Sequence, residues 1–261
     1  MAELPGELAD AIAGLARTPR LLVALDFDGT LAPTVDDPDD ARALPAARDA
    51  IIRLVAIPST RVAVVSGRAL ASLERVSELP FDVLLVGSHG AEFRFDGQEW
   101  GPDLNPAERE RLDTLYAVLA EVARHFDGVR LEVKPAGFAV HTRLLSRDVA
   151  ARVEAKALDG ALIHPVTSRR GKDVLEFSVR PANKGAALDR LREYAAASGI
   201  LFAGDDVTDE DAFASLIAGD IGVKVGTGET AAGYRVDSPS AIAPMLVLLA
   251  ETRARAEFPL R

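Results

Sequence analysis

Asp26 and Asp28 stand directly after an unbroken apolar run in LLVALDFDGTLAP. Alternate residues of an extended chain share a face, and Gly29 permits a sharp turn, so both carboxylates project to the same side. Carboxylates held that close repel, and a bound cation or a shifted pKa compensates. An EF-hand calcium loop does not fit, because it needs glycine at its sixth position and Gly29 is fourth counted from Asp26. Taken alone, the pair reads more readily as a polar strand end followed by a solvated turn.

A second acidic cluster, AGDDVTDEDAF, follows another apolar run. Thr208 reads there as a helix cap, with Asp209, Glu210 and Asp211 favouring the positive helix end. Asp205 and Asp206 sit where the strand leaves the sheet, free to bind a hard cation such as magnesium through oxygen. Ser66 in VVSGR, by itself, is an ordinary turn or capping serine, and Lys184 in NKGAALDRL an ordinary exposed lysine at a helix start. Their joint order along the chain carries the information.

The elements that would position these groups are legible as apolar, β-branched-rich runs: LLVAL, RVAVVSG, DVLLVG, ILFAGDD and IGVKVG. Runs apolar at every position suggest strands buried on both faces, which belong to parallel sheets with helices on either side. In such α/β folds ligands bind beyond the strand C-termini, and Asp26, Ser66, His89 and Asp205 all lie at or just after those ends. The expected fold is a Rossmann-like parallel-sheet core with an inserted α+β unit.

The pattern changes after the third run. NPAERERLDTLYAVLAEVARHF reads as an amphipathic helix, and VRLEVKP with GFAVHTRLL as paired strands around a Pro-Ala-Gly turn. SRDVAARVEAKAL reads as a second helix capped by Ser146. ALIHPVTSRRGKDVLEFSVR reads as a second hairpin with Arg-Arg-Gly-Lys at its tip. We place the core in residues 1–103 and 182–261 and the insertion in residues 104–181, with GPDLNP and RPAN as boundary segments.

Bulk properties set outer limits. A chain of 261 residues holds one large domain or two modest ones. The absence of cysteine rules out disulfides, thiolate metal sites and a cysteine nucleophile. Four scattered histidines without HxxxH spacing give zinc chemistry little support. A net charge of −10 with no dense basic run argues against nucleic acid or anionic membranes as partners. No apolar run approaches the roughly 20 residues of a membrane helix, and the N-terminus lacks the pattern of a secretory signal. A cytoplasmic monomer is the expectation.

The ordered set of motifs resembles the haloacid-dehalogenase superfamily of phosphohydrolases, and in its details the trehalose-phosphatase family. DFDGTLAP, VVSGR, the lysine of NKG and GDDVTDED match the four superfamily motifs in order; GSHGAE, EVKPAGFAVHTR and EFSVRP match the family's further strings. The resemblance implies hydrolysis of trehalose 6-phosphate, with Asp26 as nucleophile, Asp28 as general acid and base, Ser66 as donor to a phosphoryl oxygen, and Lys184 balancing charge. It implies Mg2+ held by Asp26, the Asp28 carbonyl and Asp205, with Asp206 and Asp209 in support. It also implies that the insertion is a cap reading the sugar through Glu132, Lys134 and Glu176, with Arg68, His89, Glu92, His141 and Arg143 as further substrate contacts. Glu132 and Lys134 share a strand face; outside the family pattern they would read as a surface ion pair of little worth. His141 and Arg143 have the same spacing on the partner strand.

Three alternatives remain open. One is another sugar-phosphate phosphatase of the superfamily, acting on a sucrose-, mannosyl- or hexose-phosphate. The second is a phospho-aspartate receiver domain, against which Asp28 and the insertion argue. The third is a sugar-binding descendant without catalysis, which would require loss of a core group.

Overall fold

In the computed structural model the opening apolar run forms β1 (Leu21–Leu25), buried along its whole length. The structure describes residues 4–162, 165–171, 173–180 and 182–256. In chain order the elements are α1 (Gly6–Leu15), β1, α2 (Pro45–Val55), β2 (Thr60–Val65), α3 (Leu70–Ser77), β3 (Leu84–Gly87), β4 (Glu92–Phe95), β5 (Gln98–Trp100), α4 (Pro106–His125), β6 (Arg130–Lys134) and β7 (Gly137–His141). They continue with α5 (Arg147–Ala161), β8 (Thr167–Gly171), β9 (Val174–Ser178), α6 (Lys184–Tyr194), β10 (Gly199–Gly204), α7 (Glu210–Ser215), β11 (Ile221–Val225), β12 (Tyr234–Val236) and α8 (Ile242–Arg255).

The chain divides into two units, one made of Met1–Trp100 with Asn183–Arg261 and the other of Gly101–Ala182. The first unit holds an eight-stranded sheet in the order β12-β11-β10-β1-β2-β3-β4-β5. From β12 to β3 neighbouring strands run parallel; β4 and β5 are antiparallel and finish one edge.

The two-sided burial of β1 explains its composition. Leu21, Val23 and Leu25 pack into one core with Leu8 and Ile12 of α1, Ile51 and Leu54 of α2, and Leu246 and Leu249 of α8. Leu22 and Ala24 point the other way, into a core with Leu188 and Leu191 of α6 and Phe213 of α7. A polar residue at any of these positions would face a dry layer of side chains, and truncating one leucine to alanine costs about 2–5 kcal/mol. Chain order reverses at β1, with β2 on one side and β10 on the other. That reversal opens the crevice in which α/β sheets bind ligands.

Arg253 of α8 is fully buried. Its guanidinium donates to the carbonyls of Ala16, Thr18 and Ser59 and to the Thr60 hydroxyl at 2.6–2.9 Å, so the last helix is tied to the end of α1 and the start of β2. Burial lowers its pKa to about 10.

The second unit is a four-stranded antiparallel sheet, β6-β7-β9-β8. Phe138, Val140, Leu175 and Phe177 face Leu115 and Leu119 of α4 and Val153 and Ala157 of α5. The opposite face is polar. α4 starts at a capping box in which Asn105 accepts from the Glu108 amide and Glu108 accepts from the Asn105 amide. Arg180 grips the same Glu108 carboxylate at 2.6 and 3.1 Å, fastening the end of the unit to its beginning.

Several local expectations are corrected here. Ser146 occupies the N-cap of α5, but its hydroxyl makes no cap hydrogen bond. Arg169 and Arg170 lie within β8 and not at a hairpin tip; Lys172 lies outside the described residues. β7 ends at His141, because the Thr142 amide turns to the Asp173 carbonyl and the Leu145 amide to Thr142. Arg143 therefore does not continue the strand face; it stands in a turn, 3.8 Å from Asp173. No described helix is long and apolar enough to cross a membrane.

Candidate active site

Asp26 leaves β1 with its amide bonded to the Ala203 carbonyl of β10 at 2.9 Å, so its position is set by the sheet. The turn that follows is closed by the Gly29 amide donating to Ala32 and the Leu31 and Ala32 amides donating to Phe27. Gly29 has φ +85°, and a Cβ there would lie 2.1 Å from Asp205 Oδ2. Only glycine allows the turn after β1 to approach the carboxylate that follows β10 so closely. Thr30, fully buried, lies 3.5 Å from Asp205 Oδ1 through its hydroxyl.

Lys184 is the first residue of α6, whose start is capped by Asn183 accepting from the Ala186 amide at 2.8 Å. Its Nζ donates to Asp26 Oδ1 at 2.6 Å and to Asp209 Oδ1 at 2.7 Å, and its side chain is 2% exposed. The other Asp209 oxygen accepts from the Asp206 amide at 2.9 Å. Asp209 thus serves as a fully buried counter-charge and as the reciprocal cap for Asp206. This corrects the Thr208 cap: the cap position is Asp206, and Thr208 is buried inside a short 3-10 turn, Val207–Asp209.

Burial first, then the negative charges of Asp209 and Asp205, push the Asp26 carboxyl well above its ordinary pKa, against the opposing pull of Lys184. Asp205 is raised to about 6, by burial first and by Asp209 next. Lys184 moves the other way: burial opposes its charge, but Asp209 and Asp26 outweigh burial and hold it protonated. The cluster therefore carries more negative charge than one lysine balances.

Among the described residues, Asp26, Asp205 and Asp209 each offer a carboxylate oxygen within 4.8 Å of the others. An all-oxygen donor set with excess negative charge suits a hard divalent cation of the Mg2+ kind. With both Asp209 oxygens engaged, Asp26 and Asp205 are the better placed ligands.

The Asp28 carboxylate stands apart from that group. Arg68 donates to it from Nε and Nη2 at 2.6 and 2.7 Å, with the guanidinium 5.6 Å from the Phe27 ring centroid. Ser66, at the end of β2, is 1% exposed; its amide donates to Val86 at 2.9 Å, and its hydroxyl accepts from the Arg68 amide at 3.2 Å. The His89 ring lies against Gly67, and its backbone has φ 56°. The Glu92 carboxylate accepts from the Leu70 amide and the Ser88 hydroxyl.

Lys224 was not singled out by sequence reasoning. It is buried in β11 and donates to the Asp206 carbonyl and Glu210, both at 3.2 Å. A lysine interrupting the apolar run IGVKVG was the available signal.

In the second unit Glu132 and Glu176 flank Ala139 in register on the polar face of the sheet. Lys134 pairs with Glu176, and His141 Nε2 lies 2.8 Å from Glu132. Burial pushes the Glu132 pKa up, but the His141 hydrogen bond and the Lys134 charge together bring it below the ordinary value. The polar face thus holds Glu132 in its charged form beside Lys134. Arg169 is in register with Glu176 on that face, and sequence spacing alone did not place it there.

The sequence profile described as Trehalose-phosphatase matches residues 24–240. A trehalose-phosphate phosphatase of Mycobacterium tuberculosis is 35% identical over 282 residues, covering 100% of this chain and 69% of that protein. One from Mycobacterium avium is 36% identical, covering 95% and 66%. A crystal structure of a trehalose-6-phosphate phosphatase related protein superposes with TM-score 0.76 at 27% identity, covering 90% of this chain and 99% of that one. The C-terminal domain of a Candida albicans trehalose-6-phosphate phosphatase reaches TM-score 0.80 at 23% identity over 96% and 99%, a likeness of fold.

Proposed function

The chain belongs to the trehalose-phosphatase family and is therefore a phosphoric monoester hydrolase; from that premise we propose that it hydrolyses trehalose 6-phosphate through an aspartyl-phosphate at Asp26, with Mg2+, as the trehalose-releasing step of trehalose biosynthesis. One observation carries the mechanism. Lys184 bridges Asp26 and Asp209 at 2.6 and 2.7 Å, while Asp205 closes on the turn after Asp26.

In the first half-reaction an Asp26 carboxylate oxygen attacks phosphorus. The bond from phosphorus to the sugar oxygen breaks, its electron pair stays on that oxygen, and Asp28 supplies the proton that makes trehalose a neutral leaving group. Lys184 keeps Asp26 oriented and its charge balanced. In the second half-reaction Asp28, now a carboxylate, takes a proton from water as the water attacks phosphorus. The acyl-phosphate bond then breaks and Asp26 returns as a carboxylate. The buried hydroxyl of Ser66 donates to a phosphoryl oxygen. Asp26, Asp205 and the Asp28 carbonyl would hold the cation, with Asp206 and Asp209 supporting; when bound it neutralises phosphoryl charge.

Every phosphomonoester presents the same phosphoryl group, so sugar selectivity needs other residues. We assign it to the second unit acting as a cap. Glu132, Lys134 and Glu176 contact the disaccharide hydroxyls, and His141 orients Glu132. Arg68 and His89 are assigned to substrate from the first unit, and Arg143 is a weaker candidate because of its position in a turn.

Phosphate release from a panel of sugar phosphates, with and without Mg2+, tests the reading. Trehalose 6-phosphate should lead the panel, and release should require the metal. A strong preference for a hexose monophosphate would overturn the substrate assignment.

A further inference from the structure

The loop that carries Ser66 and Arg68 is held by a neighbouring segment, and Glu92 is the residue that fastens the two. α3 begins just after this loop, and its N-cap residue, Ala69, has no side-chain oxygen to offer. The Leu70 amide donates instead to Glu92 Oε2 at 3.0 Å, across 22 residues of sequence. A carboxylate in that place satisfies an otherwise orphaned helix donor and suits the positive helix end. The same oxygen accepts the Ser88 hydroxyl at 2.6 Å.

Ser88 and His89 in turn hold the loop from the other side. The Ser88 amide donates to the Arg68 carbonyl at 2.7 Å, and the His89 amide donates to the Ser66 carbonyl at 2.9 Å. There is no slack between the segments: a Cβ on Gly67 would lie 2.5 Å from His89 Cε1. Ser88 and His89 both have left-handed backbones, with φ 48° and 56°, a conformation costly for residues other than glycine and maintained only when surrounding contacts enforce it. The bond from Ser88 to Glu92 is one such contact.

We infer that Glu92 is a positioning residue for phosphoryl transfer: it fixes the Ser66–Arg68 loop by joining the start of α3 to the strained Ser88–His89 turn. This differs from the substrate contact that the family resemblance implied for Glu92. It rests on the reading above, in which Ser66 contacts the phosphoryl group, and on the observed fork by which Arg68 holds the Asp28 carboxylate.

The test compares Glu92→Ala, Glu92→Gln, Ser88→Ala and Ser66→Ala in the full chain. Each is assayed for kcat and KM with trehalose 6-phosphate and with p-nitrophenyl phosphate, for inhibition by inorganic phosphate, and for melting temperature. Glu92→Ala should lower kcat/KM by about 10- to 100-fold for both esters and weaken phosphate inhibition, as Ser66→Ala should. Glu92→Gln should recover most of the loss, because its amide oxygen still accepts from Leu70 and Ser88. Ser88→Ala, which leaves α3 capped, should give the same pattern in milder form, and it answers the question if Glu92→Ala does not fold.

A loss confined to trehalose 6-phosphate would make Glu92 a sugar contact and overturn the inference. So would equal losses in the Gln and Ala variants, or full activity in Glu92→Ala. If Ser66→Ala alone were fully active with both esters, the underlying reading of the loop would fall, and the inference with it; a damaged Ser66→Ala beside an intact Glu92→Ala would overturn the inference only.

Discussion

Arg68 holds Asp28 by both carboxylate oxygens, at 2.6 and 2.7 Å, with a guanidinium whose side chain is only 10% exposed. A fork-to-fork pair of this kind forms with an ionised carboxylate. It suits Asp28 as the group that takes a proton from water. To protonate a departing sugar oxygen, Asp28 must carry a proton and leave the fork.

Asp28→Asn removes both proton transfers while changing little in size. With trehalose 6-phosphate it should be inactive. With p-nitrophenyl phosphate, whose leaving group needs no proton, Asp26 should still be phosphorylated and the adduct should persist. Intact-protein mass spectrometry would detect the added phosphoryl group, and an unmodified protein after incubation would count against the two-step mechanism.

Arg68→Lys keeps the charge but loses the planar fork. We expect kcat to fall about tenfold or more with either ester while the melting temperature moves little. Unchanged turnover would show that the fork does not orient Asp28.

Lys184→Met should damage stability as well as turnover. Removing the cation from between Asp26 and Asp209, both buried, leaves uncompensated charge worth about 3–5 kcal/mol. By sequence Lys184 read alone as an ordinary exposed lysine at a helix start, whereas its side chain is buried. Urea unfolding should show the loss. Adding Asp209→Asn should recover part of the stability and none of the activity.

Asp205 gives the pH dependence of metal binding its sign. Its folded pKa of about 6 lies above the ordinary 3.8, so in the metal-free protein its contribution to stability is fully present below the ordinary value and is lost as pH rises through about 6. Mg2+ held by Asp205 would bind the deprotonated form and reverse that loss. Thermal scans should show a larger stabilisation by Mg2+ near about pH 7.5 than near about pH 5. An equal or larger effect at the lower pH would exclude Asp205 as a ligand.

Glu132→Ala should raise KM for trehalose 6-phosphate by about tenfold or more, the worth of one lost polar contact, and leave p-nitrophenyl phosphate unaffected. Equal changes for both esters would remove Glu132 from sugar recognition.

Five of the parallel strands were legible as apolar runs, with no polar position in LLVAL or ILFAG because both faces are buried; the sixth, β12, was not, being three residues long and only partly buried. β4 and β5 were not, since Glu92–Phe95 and Gln98–Trp100 are short and the second is exposed throughout. The places of Asp26, Ser66 and Asp205 just after strands could be read from the apolar runs that precede them. Their partners could not: Asp28 and Arg68 are 40 residues apart, and nothing local in either string distinguishes an ion pair from two solvated charges. Arg143 misled because its two-residue spacing from His141 assumes a strand that a turn has already ended.

The place of β1 between β2 and β10 also has a meaning in the order of synthesis. At roughly 5–20 residues per second, the chain from Leu25 to Gly199 takes on the order of 10 to 35 seconds to emerge. Through that interval β1 has β2 for a neighbour and lacks its other one, an open edge that invites mispairing. Lys184 heads the helix immediately before β10, so the strand that pairs beside β1 is preceded in the chain by the cation that balances Asp26.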